Sequence, residues 1–281
     1  MCGRYVSARK RQELLEEFGA RISDADKPLE PDYNVAPTKR VYAVLTRGDR
    51  EGSRGGGDRG RASDPPPTAP SAGTDGGADD AVTRQLRVLR WGLVPSWAKD
   101  SSVGSKMINA RSETVAVKPS FRRAFARRRC LLPADGYYEW QSMQAADGRV
   151  RKQPFFFHPR GGGILAMAGI YELWRVPDKP ADDPDAWLWT AAVITTQAGD
   201  ELGGVHDRMP MVIERGNWAT WLDPARTDPD DLRGLLVPAA AAGLDARMVS
   251  PAVNNVRNNG PGLIEPAPPG EDSGNSPGSL F

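Results

Sequence analysis

The chain has 281 residues, 39% of them apolar, with 8 Trp, 7 Phe and 6 Tyr, which is enough to build the core of one large domain or two small ones. The formal charge is only +1, so the total alone points to no anionic partner. No apolar run approaches the ~20 residues a membrane-crossing helix needs, and the start Met1-Cys2-Gly3-Arg4-Tyr5 lacks a signal-peptide pattern. Cys2 and Cys130 are the only cysteines, and His158 and His206 the only histidines. Neither a disulfide framework nor a zinc site is expected, no other cofactor is implied, and a reducing cytoplasm is the default compartment.

In chain order, Ser7 is read as the N-cap of a helix whose apolar face is Leu14, Leu15 and Phe18, with Gly19 just past its end. A strand follows at Val41–Leu45. Residues Gly48 to Asp80 then hold nine Gly and four Pro and no large apolar side chain. Such a stretch cannot offset its ordering entropy by burial, and it reads as a flexible inserted loop. Beyond it come a strand at Leu86–Trp91 and a helix starting near Pro119 or Ser120, with Phe121 and Phe125 on one face. Its other faces carry Arg122, Arg123, Arg127, Arg128 and Arg129. Further strands are expected at Tyr137–Trp140, Pro154–His158, Ile164–Trp174, Trp187–Thr195 and Met211–Ile213, and a short helix at Trp218–Leu222 ended by Pro224. Residues 266–281 read as a disordered tail. Gly- and Pro-rich turns join most strands, which disfavours a parallel βαβ arrangement. The expected fold is α+β: a single domain over residues 2–265, built on an antiparallel, barrel-like sheet with a few flanking helices.

Charge is unevenly spread. Between Arg84 and Arg129 there are twelve Lys or Arg against the two acids Asp100 and Glu113. A positive block in a near-neutral chain is either a phosphate-binding face or a solvated basic helix, and charge alone does not choose between them.

Cys2 carries the most specific chemistry. Removal of Met1 would leave a residue with a free α-amine and a thiol on adjacent carbons, with reference pKa values of about 8 and 8.5. An aldehyde condenses with such an amine to an imine, and the sulfur then closes a five-membered thiazolidine, an intramolecular step favoured by proximity. Taken alone, a Cys after the initiating Met is also what an incidental buried residue looks like.

Seven stretches occur in order: Cys2-Gly3-Arg4-Tyr5, Tyr33-Asn34-Val35-Ala36-Pro37, Trp91-Gly92-Leu93-Val94-Pro95-Ser96-Trp97, Ile108-Asn109-Ala110-Arg111-Ser112-Glu113, Asp135-Gly136-Tyr137-Tyr138-Glu139-Trp140, Gln153-Pro154-Phe155-Phe156 and His206-Asp207-Arg208-Met209-Pro210. Together with Asn254-Asn255-Val256-Arg257-Asn258-Asn259 they resemble the SRAP (SOS response-associated peptidase) family over roughly residues 2–265. Bacterial and vertebrate members of that family crosslink to abasic sites in DNA. The insertion at 48–80 is longer than the family pattern leads one to expect.

The resemblance implies a sheet-rich α+β domain with a basic groove. It implies a catalytic set of Cys2, Asn109, Glu139 and His206, with Glu139 and His206 moving protons and Asn109 orienting the amine or the sugar. It further implies DNA contacts from Arg4, Asn34, Pro37, Trp97, Arg111, Ser112, Thr195 and Arg208. Arg4 and Arg111 are the phosphate contacts, Trp97 a base-stacking platform and Pro37 a wedge. The expected partner is single-stranded DNA containing abasic sites, bound by a monomer in the cytoplasm or on the nucleoid. AP-lyase and autoproteolytic activities are associated expectations. His158 and Cys130 are read as structural. Two rivals remain open here. One is an N-terminal-nucleophile hydrolase, since glutamine amidotransferases also begin Met-Cys-Gly, although the sole Asn-Gly pair, Asn259-Gly260, sits late for that fold. The other is a plain single-strand binder needing no Cys2, Glu139 or His206.

Overall fold

The computed structural model describes residues 2–22, 26–47, 83–144, 148–180, 182–183, 185–199, 204–237 and 243–267. The expected insertion at 48–80, and the expected tail from residue 268 on, lie outside the described residues. Pro266 and Ala267 are described, and they close a bridge to Val249 and a hydrogen bond to the Met248 carbonyl.

Thirteen strands are named here: β1 (Tyr5–Ser7), β2 (Arg21–Ile22), β3 (Asp32–Val35), β4 (Arg40–Arg47), β5 (Thr83–Trp91), β6 (Asn109–Arg111), β7 (Arg129–Ala134), β8 (Gly136–Gln144), β9 (Val150–Pro159), β10 (Leu165–Arg175), β11 (Trp187–Gln197), β12 (Arg208–Pro210) and β13 (Leu244–Met248). The helices are α1 (Arg11–Phe18), α2 (Arg122–Arg127), α3 (Trp218–Leu222) and α4 (Pro229–Arg233). One sheet runs β13-β9-β8-β1-β3, antiparallel throughout. In the other, β11-β10-β7-β4-β5 form a ring that closes through a parallel β11–β5 pairing, with β12, β6 and β2 added at its margins. The α+β, barrel-like expectation holds. Its antiparallel character is incomplete, because β6 and β5 both run parallel to β11, and β2 parallel to β5.

Period-two alternation explains how one ring serves two cores. Tyr42 and Val44 of β4 pack with Leu14, Phe18, Phe125 and Trp218 on the helical side. Val41, Ala43 and Leu45 point the other way, to Tyr5, Tyr137 and Phe157 of the antiparallel sheet. Strands buried on both faces therefore read as nearly continuous apolar runs.

Several expected boundaries move. Ser7 ends β1 and does not cap α1; Lys10 occupies the N-cap without a side-chain bond. The C-terminal end is as expected: Gly19, at φ 55°, donates to the Leu15 and Glu16 carbonyls, and Leu14 and Phe18 are buried, Phe18 stacking on Trp218. α2 starts at Arg122 rather than at Pro119 or Ser120. The expected strand Met211–Ile213 is replaced by β12 just before it, with Val212 forming only a bridge to Met167. Arg129, assigned from sequence to the basic face of a helix, opens β7. It is buried, and it donates to the carbonyls of Phe125, Ala126, Trp221 and Asp223. That cation ties α2 and α3 to the ring, and its role is internal.

Candidate active site and nucleic-acid interface

Cys2 lies where the two sheets meet, buried in the same core as Tyr5, Trp91 and Tyr137. Burial pushes its thiol pKa well up, with the Glu139 charge adding to the effect, so the sulfur carries its proton at neutral pH. β6 positions the next group. Its parallel register on β11 sets Asn109 opposite Val193, and Trp91 Nε1 donates to the preceding Ile108 carbonyl. Asn109 Nδ2 then donates to the Cys2 carbonyl at 2.7 Å. Its Oδ1 is buried with no hydrogen-bond donor among the described residues, which leaves an acceptor beside Cys2 for an amine or a hydroxyl.

Glu139 sits in β8 opposite Phe155 and is 3% exposed. Burial pushes its carboxyl up to about 7; repulsion from Asp207 adds to this, and Lys152 opposes it. His206 Nε2 lies 4.0 Å from Glu139 Oε2. The Arg208 backbone N–H donates to His206 Nδ1 at 2.9 Å. Because a peptide N–H cannot accept, this bond needs the Nδ1 lone pair and places the neutral ring's proton on Nε2, facing Glu139. The Asp207 carboxylate is also 2.9 Å from Nδ1 but largely solvated, ready to face that nitrogen when the ring is doubly protonated. Burial lowers the His206 pKa. A carboxyl held up by burial and an imidazole held down by it thus line one wall, a pairing suited to general acid–base work.

An open cleft of about 560 Å³ spans this wall, lined by Arg4, Glu139, Trp140, Lys152, His206 and Asn254. Arg4 donates to Asn34 Oδ1 and to the Val253 carbonyl, and its guanidinium lies 5.7 Å from the Trp140 ring centroid. Asn34 is fully buried, and its Nδ2 donates to the carbonyls of Val253, Asn255 and Asn258. Its side chain is spent within the protein, fixing Arg4 on one side and the closing segment on the other. Trp140 Nε1 completes the clamp with a bond to Asn254 Oδ1. The Asn-rich closing motif is thus a strap that walls the cleft.

Trp97 is 65% exposed, so its ring stands outside the core. Its loop is held from below: Gly92 and Gly104 touch so closely that a Cβ on either would sit 2.5 Å from the other's carbonyl oxygen. Trp174 Nε1 also bonds the Ala98 carbonyl. Pro37 is partly exposed, in a turn tied to β5 by the Thr38 N–H to the Trp91 carbonyl.

At the far end of β6, Arg111 is exposed and pairs in register with Thr195. The Ser112 N–H donates to the Thr195 carbonyl. Thr195 is buried, and Arg208 donates to its carbonyl while gripping Glu113 through both terminal nitrogens, at 2.6 and 3.1 Å. The expected DNA contacts at this corner therefore come together, with Arg111 presenting an exposed charge near Glu113 and Arg208 one bonded to it. The basic block divides in the same way. Arg84, Arg87, Arg128 and Arg129 are tied to protein oxygens. Lys99, Lys106, Arg111, Lys118, Arg122, Arg123 and Arg127 are exposed.

Three cleft residues were not reached from sequence. Trp140 adjoins Glu139, Asn254 opens the closing motif, and Lys152 directly precedes Gln153; adjacency to a motif was the available signal. His158 stacks on Phe156, and Cys130 is buried, as expected of structural residues. No group of His, Cys, Asp and Glu fit to hold a metal occurs among the described residues.

A buried cysteine at position 2, with a buried carboxyl near it and a histidine beside that carboxyl, set against a closed sheet, defines an α+β barrel protein with a polar cleft at the edge of its core. The particular family follows from comparison. A family model described as SOS response associated peptidase (SRAP) matches residues 1–256, and the chain belongs to this family. It is 34% identical over 265 residues to the Abasic site processing protein YoqW of Bacillus subtilis, covering 94% of this chain and 99% of that one. Against the Abasic site processing protein HMCES of Gallus gallus it is 35% identical over 211 residues, 66% of this chain and 59% of that longer protein. A crystal structure of a Bacteroides thetaiotaomicron protein superposes with a TM-score of 0.69 at 23% identity, covering 95% of this chain and all of the other, which shows the shared fold.

Proposed function

We propose that the chain recognises abasic sites in single-stranded DNA and bonds to them covalently through Cys2 once Met1 is removed, shielding the lesion as a thiazolidine. The observation that carries this reading is the convergence on Cys2 of Asn109, with its open acceptor, and of Glu139, whose carboxyl is pushed up to about 7 and which His206 adjoins. The names of the relatives support its coarser part, the processing of abasic sites.

The abasic deoxyribose opens to its C1 aldehyde. The Cys2 amine adds to that carbon, forming a C–N bond, and loss of water gives the imine. Glu139, its carboxyl pushed up to about 7 by burial, delivers the proton that water loss requires and takes it back later. The thiol then adds to the imine carbon. A C–S bond forms, the C=N bond becomes single, and the sulfur's proton passes to nitrogen, with His206 as the shuttle. Because burial keeps the thiol protonated, amine attack precedes sulfur attack. Lyase chemistry branches at the imine: a base removes a C2 proton and the 3′ phosphate leaves as the C3–O bond breaks. The exposed Trp97 and Arg111 supply base stacking and phosphate contact for any sequence, as recognition of a missing base demands. The protein acts as a monomer in the cytoplasm, on the nucleoid when bound.

An N-terminal-nucleophile hydrolase fits less well. The Asn259 side chain is bonded to the Tyr33 N–H and the Pro31 carbonyl, where it serves the strap rather than an oxyanion. The test is a denaturing gel. Incubation with an abasic single strand should give a heat-stable shifted band that an intact strand does not give; no such band with wild-type protein would end this reading.

A further inference from the structure

We propose that Lys152 is a phosphate-recognition residue of this site, holding a phosphodiester next to the abasic sugar so that Cys2 reacts with phosphate-flanked aldehydes in preference to free ones. The inference rests on the aldehyde-capture reading of Cys2 and adds a residue and a specificity to it. Lys152 is exposed on β9 and lines the cleft together with Glu139 and His206. Both of those groups feel its positive charge.

A sugar held with C1 at Cys2 carries a phosphate on each side, so negative charge must border the cleft. The wall it meets is otherwise unfavourable, since Glu139 and Asp207 both bear carboxylates. Candidate cations nearby differ in what they can give. Arg4 is bonded to Asn34 and Val253, and Arg208 is spent on Glu113 and Thr195. Lys152 makes no ion pair among the described residues. An ammonium on a flexible stem suits a phosphate whose position shifts as the sugar opens, because it acts as a point charge rather than a fixed fork.

The experiment compares two probes at Cys2 by intact mass: an abasic oligonucleotide and neutral 2-deoxyribose. Lys152→Gln should slow capture of the oligonucleotide about tenfold and slow capture of deoxyribose far less, the small common part being the loss of its charge beside Glu139 and His206. Lys152→Arg should restore most of the rate, and the difference from wild type should shrink as salt rises. Equal loss on both probes would mean that Lys152 acts only on the proton carriers, and unchanged rates on both would mean that it does not act; either overturns the proposal. Failure of wild-type protein to capture either probe would instead remove the reading of Cys2 on which it rests.

Discussion

In the proposed mechanism Glu139 gives a proton and takes one back, and its burial sets the pH at which it would do both. A carboxyl whose folded pKa is raised to about 7 holds a proton that the unfolded chain releases near pH 4.5. Native Glu139 therefore costs nothing below about pH 4.5, and its penalty grows until pH passes 7, where it is complete. Glu139→Gln removes that penalty. Urea unfolding should find the variant equal to wild type at pH 4.5 and more stable at pH 8, by on the order of 2 kcal/mol. A variant less stable than wild type at pH 8 would show that the native carboxylate is stabilised rather than strained. The crosslinking rate should move in the opposite sense, falling on the order of a hundredfold in the same variant. Identity of these residues was legible from their motifs, but their geometry was not. Nothing in His206-Asp207-Arg208 says that the Arg208 peptide N–H fixes the imidazole tautomer, or that the Arg208 side chain is consumed by Glu113 ninety-five residues earlier.

Long strands and helices with a clear apolar face were readable, because β4, β10 and β11 carry nearly continuous apolar runs, β5 is rich in Leu, Val and Trp, and α1 ends at a glycine. The short elements that build the site were not. β1, β3 and β6 have three or four residues each, too few to show a period; β1 and β6 are set by pairing with the longer β8 and β11, and β3 by pairing with β1. β7 was hidden for another reason: its opening Arg129 looks like surface charge until four carbonyls are seen around it. The same ladder reasoning bears on the insertion. Arg47 and Thr83, which flank residues 48–82, are direct partners across the antiparallel β4–β5 ladder. Trp91, at the other end of β5, lies roughly 25 Å away at about 3.3 Å per residue, and the site is at that end. Deleting 52–77 should leave the crosslinking rate within twofold and the melting temperature within a few degrees. A large loss of either would give the segment a structural or catalytic part.

Across the whole molecule, near-neutral charge conceals a divided surface, in which the buried arginines hold the fold together and the exposed ones remain available to an anion. Arg111→Ala should weaken non-covalent binding of an abasic strand to a Cys2→Ala background, and reduce the slope of log K against log salt by about 0.7, the increment for one single-strand phosphate. Trp97→Ala should weaken binding by about 1–3 kcal/mol with the slope unchanged, since stacking releases no counterion. Equal slopes for the Arg111 variant and its parent would place the phosphate path elsewhere on the protein.

The central claim is that one residue supplies both bonds to the lesion. It is tested by trapping the adduct, digesting protein and DNA, and sequencing the modified peptide by mass spectrometry. The account predicts a peptide that begins at Cys2 without Met1, carries the sugar remnant, and resists both thiol alkylation and amine labelling because nitrogen and sulfur share one ring. A remnant on a lysine such as Lys152, or an adduct at Cys2 whose thiol still alkylates, would contradict it.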